Sequence, residues 1–268
     1  MPRAAPQFTS GVSLVEVYAT VTDAQGEPIP GLSAGDFVVE EDGAPQAVQT
    51  FAHGEFPLAL AVSLDRSFSM SRARLAGAAA AVQGLFRDLH TDDQAMLVAI
   101  GSETEVLAPL SRDRGAALSA LGSLEPWGTT PLYDAMLSAI RSIQSASGRR
   151  ALVLVSDGDE RYSMAAASDV IEQVRHHDVL VYPVALSRRP SPVFAEVAAL
   201  SGGRSFHVTD VRGLPAALAA IARELRTQYL LGYTPPTRVD ARPGWRSIRV
   251  RVNRPNARVR ARDGYLHP

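Results

Sequence analysis

Three patterns of apolar and polar residues follow one another along the 268-residue chain. In the first, residues 11–55, strands alternate with turns. Apolar and polar positions alternate over "VEVYATVT", with Val15 on one face and Glu16, Tyr18 and Thr20 on the other. This period of two predicts a half-buried strand. A hairpin follows, with its turn at residues 42–43, the dipeptide "DG".

The second pattern, residues 56–226, alternates apolar runs of strand length with amphipathic helical segments. The runs "LALAVSL", "AMLVAIG", "RALVLVSD" and "VLVYPVAL" have little or no polar face, and segments such as "RLAGAAAAVQGLFRDL" and "PLYDAMLSAIRSIQSA" separate them. Strands buried on both faces and alternating with helices are typical of a largely parallel sheet covered on both sides. We therefore predict an α/β fold with a doubly wound, mostly parallel, Rossmann-like sheet.

The third pattern, residues 227–268, returns to strands. "QYLLGYT" and "SIRVRV" alternate, and "ARVRARDGYL" predicts a last pair of strands. Neither terminal segment is long enough to hold a core alone. We therefore predict that residues 11–55 and 227–268 form one small β-sandwich, and that the α/β domain is inserted between its two halves.

Composition excludes several functions. The chain has no Cys, and all 27 of its basic residues are Arg, so thiolate catalysis, cysteine-bound metals and Schiff-base chemistry are absent. A net charge of −1 predicts no general attraction to nucleic acid or membrane, and no apolar run reaches the roughly 20 residues of a membrane span. The nine Arg of residues 238–262 alternate with apolar residues near Arg249 and Arg251 and lack interleaved aromatics, which predicts a solvated strand face rather than a nucleic-acid surface.

Oxygen-bearing side chains follow two of the apolar strands. Asp65, Ser67 and Ser69 come after "LALAVSL", Asp157 comes after "RALVLVS", and Thr130 precedes a helix. Ligands of open α/β sheets bind beyond the carboxyl ends of the strands, and alternate residues of an extended segment point the same way. Carboxylates and hydroxyls suit Mg²⁺, or else Mn²⁺ or Ca²⁺. The structural alternative is a strand end followed by a helix cap.

Three stretches, "DRSFS", "GTTPLYDA" and "LVLVSDG", resemble in this order the metal-ion-dependent adhesion site of von Willebrand factor type A domains. The flanking stretches "VTDAQGEPIPGLSAGDFVVEEDG", "QYLLGYTP" and "VRARDGYL" resemble a bacterial von Willebrand factor A-related family, so the resemblance covers nearly the whole chain. It implies that Ser67, Ser69 and Thr130 are hydroxyl ligands, and that Asp65 and Asp157 bind the metal directly or through water.

Two positions depart from the family pattern. Phe68 stands where the family usually has a small residue, and Thr129 stands where Gly is common. We expect Phe68 to shape access to the ion. Asp159, Glu160 and Arg161 follow Asp157 in a loop that we expect to be solvated, and we expect them to form a partner-binding rim together with Phe68.

The resemblance implies a protein-binding module, not an enzyme, in which the cation captures a carboxylate of a protein partner. One alternative is a metal-dependent hydrolase with Asp159 or Glu160 as general base; another is a structural or assembly component with a vestigial metal site. Asp134 has a candidate role in bonding a ligand hydroxyl. Relatives with this leading segment imply a periplasmic or secreted protein whose leader is missing from "MPRAAPQFTS", while a cytoplasmic location stays open. The oligomeric state is not predicted.

Overall fold

A computed structural model describes residues 14–235 and 243–267 of the chain. Its strands are β1 Val15–Thr22, β2 Phe37–Glu41, β3 Ala44–Gln46, β4 Thr50–His53, β5 Leu58–Asp65, β6 Gln94–Ile100, β7 Thr104–Ser111, β8 Arg149–Ser156, β9 Leu180–Ala185, β10 Phe206–His207, β11 Tyr229–Tyr233, β12 Gly244–Val252, β13 Arg258–Arg260 and β14 Gly264–His267. Its α-helices are α1 Arg72–Arg87, α2 Gly115–Gly122, α3 Leu132–Ile143, α4 Ala167–His176, α5 Pro192–Ser201 and α6 Leu214–Arg226.

The middle of the chain forms one six-stranded sheet in the order β10-β9-β8-β5-β6-β7. Every neighbouring pair is parallel except β6 and β7, which are antiparallel. The predicted mostly parallel α/β fold is confirmed. Because β5 lies between β8 and β6, the chain reverses its direction of winding at β5, and a crevice opens at the carboxyl ends of β5 and β8.

Helices cover both faces of this sheet, and the residues of β5 show how the two cores are divided. Leu60 and Leu64 pack with apolar residues of α1, α2 and α6. Ala59 and Ala61 pack on the opposite face with residues of α3, α4 and α5. Successive side chains of a strand point to opposite faces, so a strand that is apolar throughout supplies two cores at once.

The terminal segments form two four-stranded sheets, β13-β1-β11-β4 and β14-β12-β2-β3. Val17, Val39, Leu231 and Ile248 belong to the shared core between them, which confirms the predicted β-sandwich. The predicted hairpin joins β2 and β3. Both residues of its "DG" turn, at positions 42 and 43, have positive φ, as tight two-residue hairpin turns require.

Two details of the sandwich differ from the sequence prediction. First, β1 is not half-buried: Tyr18 and Thr20 on its second face are buried too. Tyr18 packs edge-on against Phe56, with ring centroids 5.8 Å apart, and Thr20 accepts a hydrogen bond of 3.1 Å from Gln228. Second, the last two strands do not pair with each other, because β13 joins β1 and β14 joins β12 in the opposite sheet.

The second face of β1 is buried because it contacts the α/β domain through Arg149. This guanidinium donates to the carbonyls of Leu225 and Phe56 and lies 6.0 Å from the Tyr18 ring centroid. Burial lowers the pKa of Arg149 to about 10 and raises that of Tyr18 to about 12. The junction between sandwich and sheet is therefore a packed, hydrogen-bonded contact.

Within the described residues, no helix is both long enough and apolar enough to cross a bilayer.

Candidate metal centre

The predicted metal ligands lie where three loops meet at the carboxyl edge of the central sheet. Asp65 ends β5, with Ser67 and Ser69 in the loop that follows it. Thr130 precedes α3, and Asp157 follows β8. This edge holds the crevice beside β5, where ligands of open α/β sheets bind.

Asp65 is the most buried of these residues, with 0% of its surface exposed. One carboxylate oxygen accepts a hydrogen bond of 2.8 Å from the Ser67 backbone N–H, and the other accepts one of 2.7 Å from the Ser156 hydroxyl. Burial raises the pKa of Asp65; the hydrogen bonds from Ser156 and Ser67 oppose the rise, and the nearby charge of Asp157 adds to it. No Arg or His pairs with Asp65 among the residues that the structure describes.

The two serine hydroxyls are adjacent to each other. Ser67 Oγ and Ser69 Oγ lie 2.9 Å apart; Ser67 is buried and Ser69 is exposed. Two oxygen ligands at about 2.0–2.1 Å from Mg²⁺ and at right angles to each other would be roughly 2.9 Å apart. The serine pair therefore has the spacing of one edge of an octahedral oxygen site.

Thr130 is held at the same edge by backbone hydrogen bonds. Its carbonyl accepts from the N–H of Arg161 at 2.9 Å, which ties it to the loop that follows Asp157. Two residues earlier, the Gly128 carbonyl accepts from the N–H of Phe68 at 3.0 Å, which ties the same segment to the serine loop. Thr130 itself is buried.

Asp157 is partly exposed, and its Oδ1 accepts a hydrogen bond of 3.1 Å from the N–H of Asp159. The structure thus joins Asp65, Ser67 and Ser69 by direct hydrogen bonds, and it brings Asp157 within electrostatic range of Asp65. Thr130 reaches the group through its backbone. The donor set fits a hard divalent cation, since an unpaired buried carboxylate, a second carboxylate and neighbouring hydroxyls all favour positive charge.

Two acidic residues near the centre hold the loop that follows Asp157 in place. Glu160, which we expected in a solvated loop, accepts from the backbone N–H of Tyr133 in α3 at 3.1 Å and from the N–H and hydroxyl of Ser163. Asp134 accepts from the backbone N–H of Met164 at 2.8 Å, so its carboxylate supports this loop rather than the candidate ligand hydroxyl. Of the predicted rim acids, Asp159 is the one whose carboxylate remains well exposed.

Ser156 is not among the predicted site residues, yet its hydroxyl donates to Asp65 and accepts from the N–H of Gly158 at 3.1 Å. A hydroxyl at the last position of an otherwise apolar strand was the available signal. No cluster of three or more His, Asp or Glu residues suited to a metal occurs in residues 14–235 and 243–267. Metal binding at this edge therefore depends on the hydroxyls as well as on the two carboxylates.

Comparison with known families matches residues 60–160 to the von Willebrand factor type A domain. The matched range contains all five predicted ligands. No curated protein matches the chain in sequence.

Several solved structures share the fold. A von Willebrand factor type A protein from Catenulispora acidiphila is 15% identical, with a TM-score of 0.57, over 94% of this chain and 73% of its own. An aerotolerance-related membrane protein from Bacteroides fragilis is 20% identical, with a TM-score of 0.50, over 63% of this chain and 98% of its own. The protein BatB from Bacteroides thetaiotaomicron is 18% identical, with a TM-score of 0.50, over 64% of this chain and 100% of its own. Together with the strand order, these likenesses show a von Willebrand factor type A fold.

Proposed function

We propose that this protein is a metal-ion-dependent protein-binding module. A divalent cation, Mg²⁺ or else Mn²⁺ or Ca²⁺, would be held by Asp65, Ser67, Ser69, Thr130 and Asp157, and it would capture a carboxylate of a protein partner. The von Willebrand factor type A fold is common among interaction modules, which supports the coarser part of this proposal.

One observation carries the finer part: Asp65 is buried without a compensating cation. Four carboxylates are buried in the described part of the chain. Asp93 and Glu224 pair with arginines, and Glu41 accepts from two tyrosine hydroxyls. Asp65, like Glu41, has two hydrogen-bond donors and no cation, but it differs from the other three because a second carboxylate, that of Asp157, lies nearby and adds to the cost of its charge. Burial of an unpaired charge is costly, so a bound cation would supply what this site lacks.

The ligand types favour binding of an anion. Three of the five proposed ligands are neutral hydroxyls, so Asp65 and Asp157 only balance the charge of a divalent cation and give the loaded site no excess negative charge. When bound, the cation would supply a Lewis-acidic position for one more oxygen ligand, and a carboxylate is the complementary group. Ser69 and Asp157 are the proposed ligands that are open to solvent, which supports an approach of the partner from their side.

The hydrolase alternative has less support from the loop geometry. Glu160 is one of its two candidate bases, and its carboxylate is already used by Tyr133 and Ser163. We therefore propose binding rather than catalysis. A periplasmic or secreted location is part of the same proposal, and fractionation of cells that express the native gene tests it.

Thermal unfolding with EDTA or with excess Mg²⁺ or Mn²⁺ tests the metal centre. A ligand at about 100 times its Kd stabilises a protein by about 2.7 kcal/mol. For a chain of this size we expect a rise in Tm of about 5–10 °C. Asp65→Asn keeps the shape of the side chain and removes its charge, so it should abolish the rise.

The matched control is Asp92→Asn, at an exposed aspartate just before β6, at the opposite edge of the sheet. It should keep the full rise in Tm. Identical melting curves of the wild type with EDTA and with either cation, over a range that reaches 10 mM or so, would refute the metal centre.

A further inference from the structure

Four large apolar side chains are exposed around the candidate metal centre. Phe68 is 72% exposed, Trp127 43%, Tyr162 78% and Met164 96%. We call these four residues the collar. They make up four of the seven exposed large apolar residues in the described part of the chain, so exposed apolar surface is concentrated at this edge. Such concentrations mark interaction surfaces, and aromatic residues and Met are enriched in interface cores.

The collar is tied to the proposed ligands through the backbone. Phe68 lies between the two serine ligands, and its N–H bonds to Gly128, the residue after Trp127. Tyr162 follows Arg161, whose N–H bonds to the Thr130 carbonyl. Each of the three loops that carry a proposed ligand therefore also carries at least one exposed apolar side chain.

Tyr162 has a costly backbone conformation. Its φ is +71°, in the left-handed region that aromatic residues rarely adopt. The residues on both sides are fixed, Arg161 by the Thr130 carbonyl and Ser163 by the carboxylate of Glu160. Strain of this kind persists where the surroundings over-determine a conformation, and it clusters at functional sites. The exposed ring is thus presented by a braced loop.

The charges beside the collar favour an acidic partner. Arg188 and Arg189 are exposed in the loop between β9 and α5. This loop begins beside the centre, because the N–H of Leu186 donates to the carbonyl of Ser156 at 2.7 Å. Neither arginine forms an ion pair with any residue described in the structure. Arg161 is exposed as well, but it is paired with the exposed carboxylate of Asp159 at 3.9 Å, so the excess positive charge here comes from Arg188 and Arg189.

We propose that the collar selects protein partners in which the metal-binding Asp or Glu is flanked by apolar side chains, within an exposed segment that carries net negative charge. This inference rests on the proposed metal-dependent binding and adds the chemistry of the segment on either side of the carboxylate. Aromatic residues and Arg that surround a central anchor are the usual energetic centres of interfaces. The collar and the three arginines supply both kinds of contact.

Synthetic peptides test the proposal by fluorescence polarisation in Mn²⁺. One series has a single Glu flanked by Leu and Phe, a second has the same Glu flanked by Ser and Gly, and a third replaces Glu by Gln in the apolar context. We expect at least tenfold tighter binding, about 1.4 kcal/mol, for the first series than for the second. We expect no binding in the third series or in EDTA.

Variants then separate the collar from the metal centre. Phe68→Ser combined with Tyr162→Ser should reduce the preference for apolar flanks to less than threefold, while the affinity for Mn²⁺ measured by calorimetry stays unchanged. Leu266→Ser is the matched control, because Leu266 is 43% exposed in β14, in the sandwich, and it should keep the preference.

Each outcome decides a different point. Metal-dependent binding that ignores the flanking residues would overturn the collar and leave the proposed function standing. Absence of any metal-dependent binding of an acidic peptide would overturn the proposed function as well. Binding to phosphatidylserine vesicles that requires the collar but persists in EDTA, without discrimination among the peptides, would show that the collar binds a membrane and would overturn the proposal.

Discussion

Removal of the Ser156 hydroxyl should weaken the candidate metal centre, although Ser156 is not a proposed ligand. The hydroxyl donates to the buried carboxylate of Asp65 at 2.7 Å and accepts from Gly158 at 3.1 Å. A hydrogen bond to a charged group contributes about 1.5–3 kcal/mol, and a neutral one about 1 kcal/mol. We therefore expect Ser156→Ala to lower the free energy of unfolding by about 2–3 kcal/mol in EDTA. Loss of an outer partner that orients a ligand should also lower the affinity for Mn²⁺ by about 10- to 100-fold.

Ser63 provides a matched control on the neighbouring strand. Ser63 and Ser156 are both 0% exposed, and Ser63 lies in β5, two residues before Asp65. The Ser63 hydroxyl has no hydrogen-bond partner in the described structure. Ser63→Ala therefore removes the same atom without removing a bond, and it should change stability by less than about 0.5 kcal/mol or increase it.

Urea unfolding at pH 7 in EDTA and calorimetric titration with Mn²⁺ measure the two effects. Equal destabilisation by Ser156→Ala and Ser63→Ala would refute the energetic reasoning. A Ser156→Ala protein that is less stable but binds Mn²⁺ as tightly as the wild type would refute the positioning role.

Three other substitutions test the frame that supports the site. Burial alone would raise the pKa of Asp93, but hydrogen bonds from Arg226 and from two backbone N–H groups outweigh burial and lower this pKa. The Asp93 carboxylate therefore stabilises the fold at neutral pH, and this stabilisation is lost as the pH falls through the folded-state pKa. Arg226→Gln should cost about 3 kcal/mol at pH 7 and flatten the loss of stability below about pH 4, as measured by urea unfolding across pH. Arg260→Gln should lower the free energy of unfolding by about 2–3 kcal/mol in the same assay at pH 7, because it leaves the buried Glu224 without its partner in the contact between β13 and α6. A loss below about 0.5 kcal/mol would contradict this prediction. Gly128→Ala should lower the free energy of unfolding by more than about 2 kcal/mol and weaken Mn²⁺ binding, because φ of Gly128 is +82° and an added Cβ would lie 2.2 Å from a backbone nitrogen. Wild-type affinity for Mn²⁺ in calorimetry would count against this prediction.

The fold could be predicted from sequence because its periodicities are strong and its elements are buried consistently. The strand β5 is apolar at both alternating sets of positions, which is what a strand between two helical layers requires. The ends of the chain were harder to predict. The face of β1 that carries Tyr18 and Thr20 looks like a solvated face in sequence, but Phe56 packs on Tyr18 and Gln228, just before β11, bonds to Thr20. Local pattern carries no information about such a contact.

In the candidate site, too, the types of residue could be predicted from the sequence, whereas their roles could not. The oxygen-bearing residues that end successive strands are visible in sequence, because the topology of a parallel sheet brings strand ends to one edge. The assignment of roles among the acids depends on tertiary hydrogen bonds that sequence does not show. The sequence alone does not distinguish the carboxylates of Glu160 and Asp134 from that of Asp157, yet in the structure Glu160 and Asp134 hold the loop in place.

Those two carboxylates determine which part of the site is left to function. Because Glu160 and Asp134 bind backbone N–H groups at the start of α3 and in the loop around Ser163, they fix that loop and are not available to a cation or a partner. Asp157 is then the carboxylate whose charge acts on Asp65. Four carboxylates around a divalent cation would leave a net negative charge and repel an acidic partner, whereas two only balance the charge of the cation and leave room for a third carboxylate from outside. The hydrogen bonds that sequence analysis missed are therefore the feature that most favours an acidic partner.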